Sequence, residues 1–409
     1  MSPFLVGAFG WVSIQIDVEG KMAAEPLTVI LPIKSGEEAP LRQVLDEINA
    51  DLAGNLYLQL PQSLTTHFLR LAIITDPDHG PRLLLSGNHD GSLADYVKEL
   101  ITIGPGLDEI FNKCVGYSGQ ANLLGFLQQH ALKAQMVTIA FEDETVGSIR
   151  TKIAIRQRLE TLLDNQTNID QVFDDLELQG LVKQLPSETS PWWQSLGLGW
   201  FVNQIQAFLL TILRFIGRIL SKPDRPRQVS EYSGVQVDLE KTRILATSED
   251  ISGPNHLHLV STLKAGRLLR LKIVLFLTNF ASRKLFEPGE LSDIRSIHFA
   301  HWVIFDQGKR LLFITHYDDS FESYLDDFAN RASEGLNSIW NNVEGYPEAA
   351  ATDGVGFKQF FRNDQQLPSQ VFYRAYPDIT VRNIIRDRTI SKLLRQDNPQ
   401  AAEQLLTLL

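Results

Sequence analysis

Nine histidines give this 409-residue chain its widest chemical reach, because an imidazole can carry a proton near neutral pH or ligate a metal. Two of them, His67 and His298, each stand at the start of an apolar, β-branched run. Facing a cavity between sheets, such a histidine could ligate haem iron or relay a proton; equally, it could be a structural group bonding a carbonyl at a strand edge. His256 and His258 alternate along a third run and so share one face, a two-histidine arrangement that metal sites use, but no third ligand is evident. Arg82 and Arg310 each precede an aspartate, Asp90 and Asp318, by eight residues. Each pair could form a salt bridge steadying a strand-to-helix turn. The two aspartates themselves read as helix-start residues whose carboxylates meet the positive helix end, and Tyr96 and Tyr324 as buried hydroxyls bonded nearby. Cys114 is the single cysteine, which excludes an intrachain disulfide and a cysteine-rich zinc site and fits a reducing, cytosolic side. No phosphate loop, G-x-S-x-G elbow or H-E-x-x-H is present.

What positions these residues is an internal repeat. THFLRLAIITD from Thr66 resembles IHFAHWVIFD from Ile297, and RLLLSGNHDGSLADY (82–96) lies over RLLFITHYDDSFESY (310–324) with six identities in fifteen. LDEIFNKCVGY from Leu107 lies over LNSIWNNVEGY from Leu336 with five in eleven. Lys34 and Gly36 match Lys264 and Gly266, Gly125-Phe126 match Gly356-Phe357, and AFEDETV from Ala140 matches AYPDITV from Ala375. All run in one order with offsets between 228 and 235, a collinearity that chance does not produce.

Each copy reads as β-α-β-β-α-β followed by a helix. In the first, strands are expected at 27–34, 67–75, 82–86 and 135–142. Its helices are expected at 40–52, from Asp90 or Ser92 to about Cys114 with a break near Gly104-Pro105-Gly106, and at 146–163. In the second, the strands fall at 257–264, 297–305, 310–316 and 370–376, and the helices at 268–285, 321–343 and 381–394. A four-stranded antiparallel sheet with its helices on one side leaves the other face bare, and two such sheets can cover each other. The expected organisation is an N-terminal extension (1–24), a first ferredoxin-like repeat (25–163), a linker (164–254), a second repeat (255–396) and a C-terminal tail (397–409). Met1 to Ile16 is apolar but has no basic residue ahead of it, unlike a secretory signal, and Met22 offers a second start.

Through the strings RLLF, YD, ESYLDDF and GLNSIWNN of the second copy, the chain resembles the dimeric α+β barrel superfamily and, within it, an uncharacterised bacterial family. The resemblance covers about residues 25–160 and 255–395. It implies an α+β fold in which the duplicated ferredoxin-like units form an intramolecular pseudo-dimeric barrel, and it says little about function, since the superfamily holds chlorite dismutases, dye-decolourising haem peroxidases, small quinol-forming monooxygenases and non-enzymatic members. GNHDG (87–91) is similar to the G-x-x-D-G string of the dye-decolourising peroxidases. Carried over, Asp90 would assist proton movement on the distal side of haem, Arg82 or Arg70 would be its cationic helper, and His67 or His298 the axial ligand. The string departs from that pattern in closing a hairpin strand and starting a helix, and the second copy has HYDDS instead.

The linker carries 23 consecutive uncharged residues, 191–213, long enough to cross a bilayer at ~20 residues per span. Helical angles favour a surface helix over about 192–221 instead. Asn203, Gln204, Gln206, Thr211, Arg214, Arg218 and Ser221 fall in one arc of roughly 160°, opposite Phe201, Phe208, Leu209, Ile212, Phe215 and Ile216. Such a divided surface suits the membrane interface, with Trp192, Trp193 and Trp200 in the headgroup layer and Arg214, Arg218, Lys222, Arg225 and Arg227 meeting anionic lipid. The same helix could also cover the barrel or a protein partner. A true span would separate the two copies.

A net charge of −11, with 38 basic against 49 acidic residues, excludes a general nucleic-acid binder, and 44% hydrophobic residues suit a globular chain. The sequence thus leads to a peripheral membrane protein on the cytoplasmic side whose fused pseudo-dimer binds an apolar or haem-like ligand, or a protein partner, without catalysis of its own. A haem-dependent peroxidase-like oxidoreductase and a non-enzymatic scaffold are the alternatives.

Overall fold

The computed structural model describes residues 24–76, 78–165, 169–186, 239–247, 253–284, 294–331, 333–347, 354–365, 368–396 and 399–408. The first half contains β1 (Ala24–Pro32), α1 (Glu38–Ala50), β2 (Thr66–Asp76), β3 (Gly80–Asp90), α2 (Leu93–Ile103), α3 (Leu107–Phe111), α4 (Leu123–His130), β4 (Ala134–Ile139) and α5 (Val146–Asp164). Three short helices follow: α6 (Ile169–Val172), α7 (Leu176–Gln184) and α8 (Leu239–Ala246). The second half contains β5 (Asn255–Thr262), α9 (Leu268–Lys284), β6 (Ile297–Phe305), β7 (Arg310–Tyr317), α10 (Phe321–Arg331), α11 (Ser333–Trp340), α12 (Gly354–Asp364), β8 (Val371–Arg374), α13 (Val381–Leu394) and α14 (Pro399–Leu408).

The chain is mixed α+β with two antiparallel four-stranded sheets, ordered β1-β3-β2-β8 and β5-β7-β6-β4. Read half against half, the order is the same. The fourth strand of each half, however, lies in the other half's sheet: β4 pairs with β6 and β8 with β2. The expectation of one complete sheet per repeat is corrected here. Each crossing segment first touches its own half, where Ala131 bridges Val29 and Gln365 bridges Leu259, and then joins the opposite sheet. Both sheets are thereby stitched along both sides.

Alternation along the strands sorts the side chains. Leu27, Val29, Leu31, Leu69, Leu71, Leu83 and Leu85 point outward to α1–α4, and α1 meets them through Leu41, Val44, Leu45 and Ile48 at helical spacing. Leu257, Leu259, Trp302, Leu311 and Phe313 do the same beneath the helices of the second half. Ile30, Ala72, Ile74, Leu84, Val303, Phe305, Leu312 and Ile314 pack between the sheets.

Matching residues carry matching local tasks. Gly36 and Gly266 take φ of +82° and +75°, a conformation that costs a residue with a Cβ. Lys34 and Lys264 then donate to the carbonyls of Asn112 and Asn341. Thr145 and Thr380 begin α5 and α13 with capping boxes. The helix expected over 321–343 is two helices, α10 and α11, and α4 and α12 were not foreseen. The segment read as a linker contains α6, α7 and α8. The expected tail contains α14, whose Ala401 and Leu405 are buried with Leu178 of α7, Ile155 and Leu159 of α5 and Ile390 of α13. The segment 192–221, with Trp192, Trp193, Trp200, Phe201, Phe208, Leu209, Ile212, Phe215 and Ile216, lies outside the described residues.

Candidate functional site

His67 and His298 occupy the same irregularity in the two sheets. The β2–β3 register shifts between Thr66 and Phe68, and the β6–β7 register between Ile297 and Phe299. A bulge turns a side chain that regular alternation would place elsewhere. Here it brings His67 Nε2 to 3.0 Å from Asp90 Oδ1 and His298 Nε2 to 2.7 Å from Asp318 Oδ1. The second oxygen of each carboxylate accepts from the first N–H of an exchanged-side helix: Val146 of α5 to Asp90 at 2.8 Å, and Val381 of α13 to Asp318 at 2.7 Å. Both aspartates meet a helix N-terminus, as their positions suggested, but of a helix far along the chain. The nearer helix α2 is capped by Ser92, which accepts from Asp95 N–H.

The two seams differ at one atom. Because a carboxylate accepts, Nε2 of each histidine donates to it. His67 Nδ1 shares a hydrogen bond with the Tyr376 hydroxyl at 2.9 Å. At the position matching Tyr376 stands Phe141, and His298 Nδ1 has no partner among the described residues.

At His67 and Asp90 this arrangement does not fit haem. Both nitrogens of His67 and both oxygens of Asp90 are already engaged, and a distal acid must lie across the porphyrin from the axial ligand rather than bonded to it. The G-x-x-D-G string has local causes instead. A Cβ on Gly87 would lie 3.3 Å from the Phe68 carbonyl oxygen, and Gly91 turns at φ +77°, as Asp319 does at +71°. Arg82 is not Asp90's partner. It sits near the opposite end of β3 and forms a two-bond pair with Asp306 of the other half, at 2.8 and 3.0 Å, while Arg310 reaches Asp78 at 3.3 Å. These are cross-links between the sheets' hairpin ends. Tyr96 and Tyr324 are buried, with Tyr96 OH 3.4 Å from Thr66 and Tyr324 OH 2.9 Å from Thr315.

Between the seam and the apolar packing of the hairpin ends lies a polar belt, of which the sequence pattern singles out only Arg70, His256 and His258. Register places Thr28, Ser86, Arg70 and Phe372 in one row across the first sheet, with Asn88 and Phe68 in the next. Across the second sheet run His258, Ile314, His301 and Val137, with His256, His316 and Phe299 in the next. The rows face each other: Thr28 Oγ1 lies 3.0 Å from His301 Nε2, Phe68 stacks on His316 at 4.5 Å, and His256 lies 4.0 Å from Phe372.

Arg70 is fully buried, and among the described residues no carboxylate pairs with it. Its Nη1 donates to the Leu257 carbonyl at 3.3 Å, whereas Nε and Nη2 have no partner. Burial lowers its pKa to about 9, which leaves it charged at neutral pH. Burial first, and then the charge on Arg70, hold His256, His258 and His316 well below the ordinary imidazole value and His301 down at about 3. Both nitrogens of His316, both amide atoms of Asn88, the Ser86 hydroxyl, His258 Nε2, His256 Nδ1 and His301 Nδ1 also lack partners. Each buried orphan costs ~1–3 kcal/mol unless something meets it, and ten such atoms lie in this one belt. His256 and His258 do share a face as expected, but no group of three metal-ligating side chains occurs among the described residues.

No family model and no curated protein matches the chain. One solved structure, a "putative monooxygenase from Lactobacillus acidophilus NCFM", is 8% identical over 87% of this chain and 98% of that chain, with a TM-score of 0.30. A likeness that low carries no argument about fold or activity.

Proposed function

We propose that the chain is a tandem duplication of a ferredoxin-like unit folded as a fused pseudo-dimeric α+β barrel, and that it binds a small polar ligand between its sheets. No reaction is assigned. The supporting observation is the belt of unsatisfied groups around Arg70, which favours a polar ligand over the apolar one suggested by composition and patterning. Native mass spectrometry of gently purified protein, followed by imidazole NMR against a library of polar small molecules, tests the reading. Ligand-dependent shifts of the His258, His301 and His316 rings are expected. Rings indifferent to every library member would remove it.

A second reading, membrane-surface association on the cytoplasmic side, is favoured by a different observation. On α9, Leu269, Ile273, Phe276 and Phe280 keep 70, 47, 56 and 42% of their surface exposed, and at 100° per residue they fall within an arc of about 60°. This stripe and the divided pattern of 201–221 are the kinds of surface that lie in a lipid interface. No helix among the described residues is long and apolar enough to cross a membrane. Sedimentation with anionic vesicles should carry down the full chain but far less of a variant lacking residues 191–221; equal sedimentation rejects the association.

A further inference from the structure

We infer that the ligand between the sheets is a small organic carboxylate, held two-pronged by Arg70. The inference rests on the interior-ligand reading above and adds its chemical class. The two guanidinium nitrogens without partners, Nε and Nη2, lie on one edge of the planar group. Their N–H bonds run side by side at the spacing of two carboxylate oxygens, the fork that arginine offers and lysine cannot. The third nitrogen, Nη1, is tied to the Leu257 carbonyl. That bond fixes which edge remains open.

Charge points the same way. A buried cation without a counter-charge is held at a cost of several kcal/mol, and the belt residues that face Arg70 contribute no anion: Thr28, Ser86, Asn88, Phe68 and Phe372 on its own sheet, and His256, His258, His301 and His316 on the other. The imidazoles are kept neutral by burial and by Arg70 itself, so they offer hydrogen bonds rather than a competing charge. Ser86, directly opposite Arg70 on β3, has a free hydroxyl for a carboxylate oxygen. Phe68, His316 and Phe372 stack on one another with their rings within 13° of parallel, an aromatic wall whose Phe372 ring lies 6.0 Å from the guanidinium carbon.

The full chain is titrated by calorimetry with formate, acetate and benzoate, each beside its neutral amide, and the Arg70 Nε–H resonance is followed. At least one carboxylate should bind about tenfold or more tighter than its amide, ~1.4 kcal/mol, and move that resonance. Arg70→Met should abolish binding while raising the melting temperature of the ligand-free protein, since a lone buried cation has been removed. Arg70→Lys keeps the charge without the fork and should weaken binding about tenfold or more; it also serves if Arg70→Met does not fold. Amides that bind as well as carboxylates, carboxylate binding that survives in Arg70→Met, or undiminished carboxylate binding in Arg70→Lys, overturn the carboxylate class. If neutral molecules still shift the His258 and His316 rings, the interior site stands without it. If nothing shifts them, both readings fall together.

Discussion

The two sheets share an order and a register, but their residues agree in one region and diverge in another. At the seam, His67, Asp90 and the first N–H of α5 are matched atom for atom by His298, Asp318 and the first N–H of α13. In the belt, Thr28, Ser86 and Arg70 stand where the other sheet has His258, Ile314 and His301, and no pair is alike. A group that pins an exchanged strand and its helix is needed twice, because the exchange happens twice. A group that meets a ligand lying across the axis between two unlike sheets is needed once. The likeness therefore reports architecture, and the difference marks the place where this chain does something particular.

The largest test of that contrast is acid. The belt imidazoles sit on the second sheet alone, each with a folded pKa lowered from 6.5. Folding favours the neutral ring, so this stability is complete above about pH 6.5 and is lost as pH falls from there towards each folded value, about 3 for His301. At ~1 kcal/mol per pH unit for each ring, the four together should lower unfolding free energy by on the order of 5 kcal/mol per unit. Urea midpoints measured from about pH 7.5 to about pH 5 should fall steeply, and His258→Leu should flatten the slope by about a quarter. A level profile would mean that the rings are not held dry.

Next in size are the seams. Asp90→Ala and Asp318→Ala each strand a histidine and a helix N–H, a loss of ~3–5 kcal/mol, and chemical denaturation should return nearly equal values for the two. A difference well beyond 1 kcal/mol would break the equivalence. A smaller effect belongs to the second half only. There, Asp364 bonds Ser261 at 2.6 Å, and burial pushes its carboxyl up to about 6. The folded protein prefers the protonated acid, so a penalty grows as pH rises from 3.8 to about 6 and persists above. Asp364→Asn should add ~2 kcal/mol at about pH 8 and nothing below about pH 4, measured in the same urea assay. The smallest test is the single atom in which the seams differ. Phe141→Tyr should supply His298 Nδ1 with the partner it lacks and gain ~1 kcal/mol, while Tyr376→Phe should lose about as much. Opposite signs in paired melting curves are the expected result.

The sequence made most strands and the matching strings that set His67 beside His298 legible, because apolar alternation and collinear strings are local properties of the chain. It also announced that Asp90 meets a helix end. It pointed to the adjacent helix rather than to α5, since Val146 is 56 residues away and only the strand exchange brings α5 to β3. The exchange itself was hidden because β4 shows the same alternation whichever edge it joins. Arg70 was noticed only as a helper to Asp90. Its isolation emerges when four strands are laid side by side and the acidic residues all prove to be elsewhere. The signal was nevertheless present: an arginine at an inward position of β2, flanked by Leu69 and Leu71, has no business in a dry sheet unless something meets it.

The traded strands also set an order of events during synthesis. When β2 leaves the ribosome, its edge is bare and must wait for β8, whose residues 371–374 are made long afterwards. β4, ready far earlier, has no edge to join until β6 appears at 297. Throughout that interval the nascent chain exposes an unpaired apolar edge, the kind of surface that seeks other chains. Truncation anywhere before residue 371 should therefore yield aggregates rather than a soluble first half, because the two halves fold as one unit.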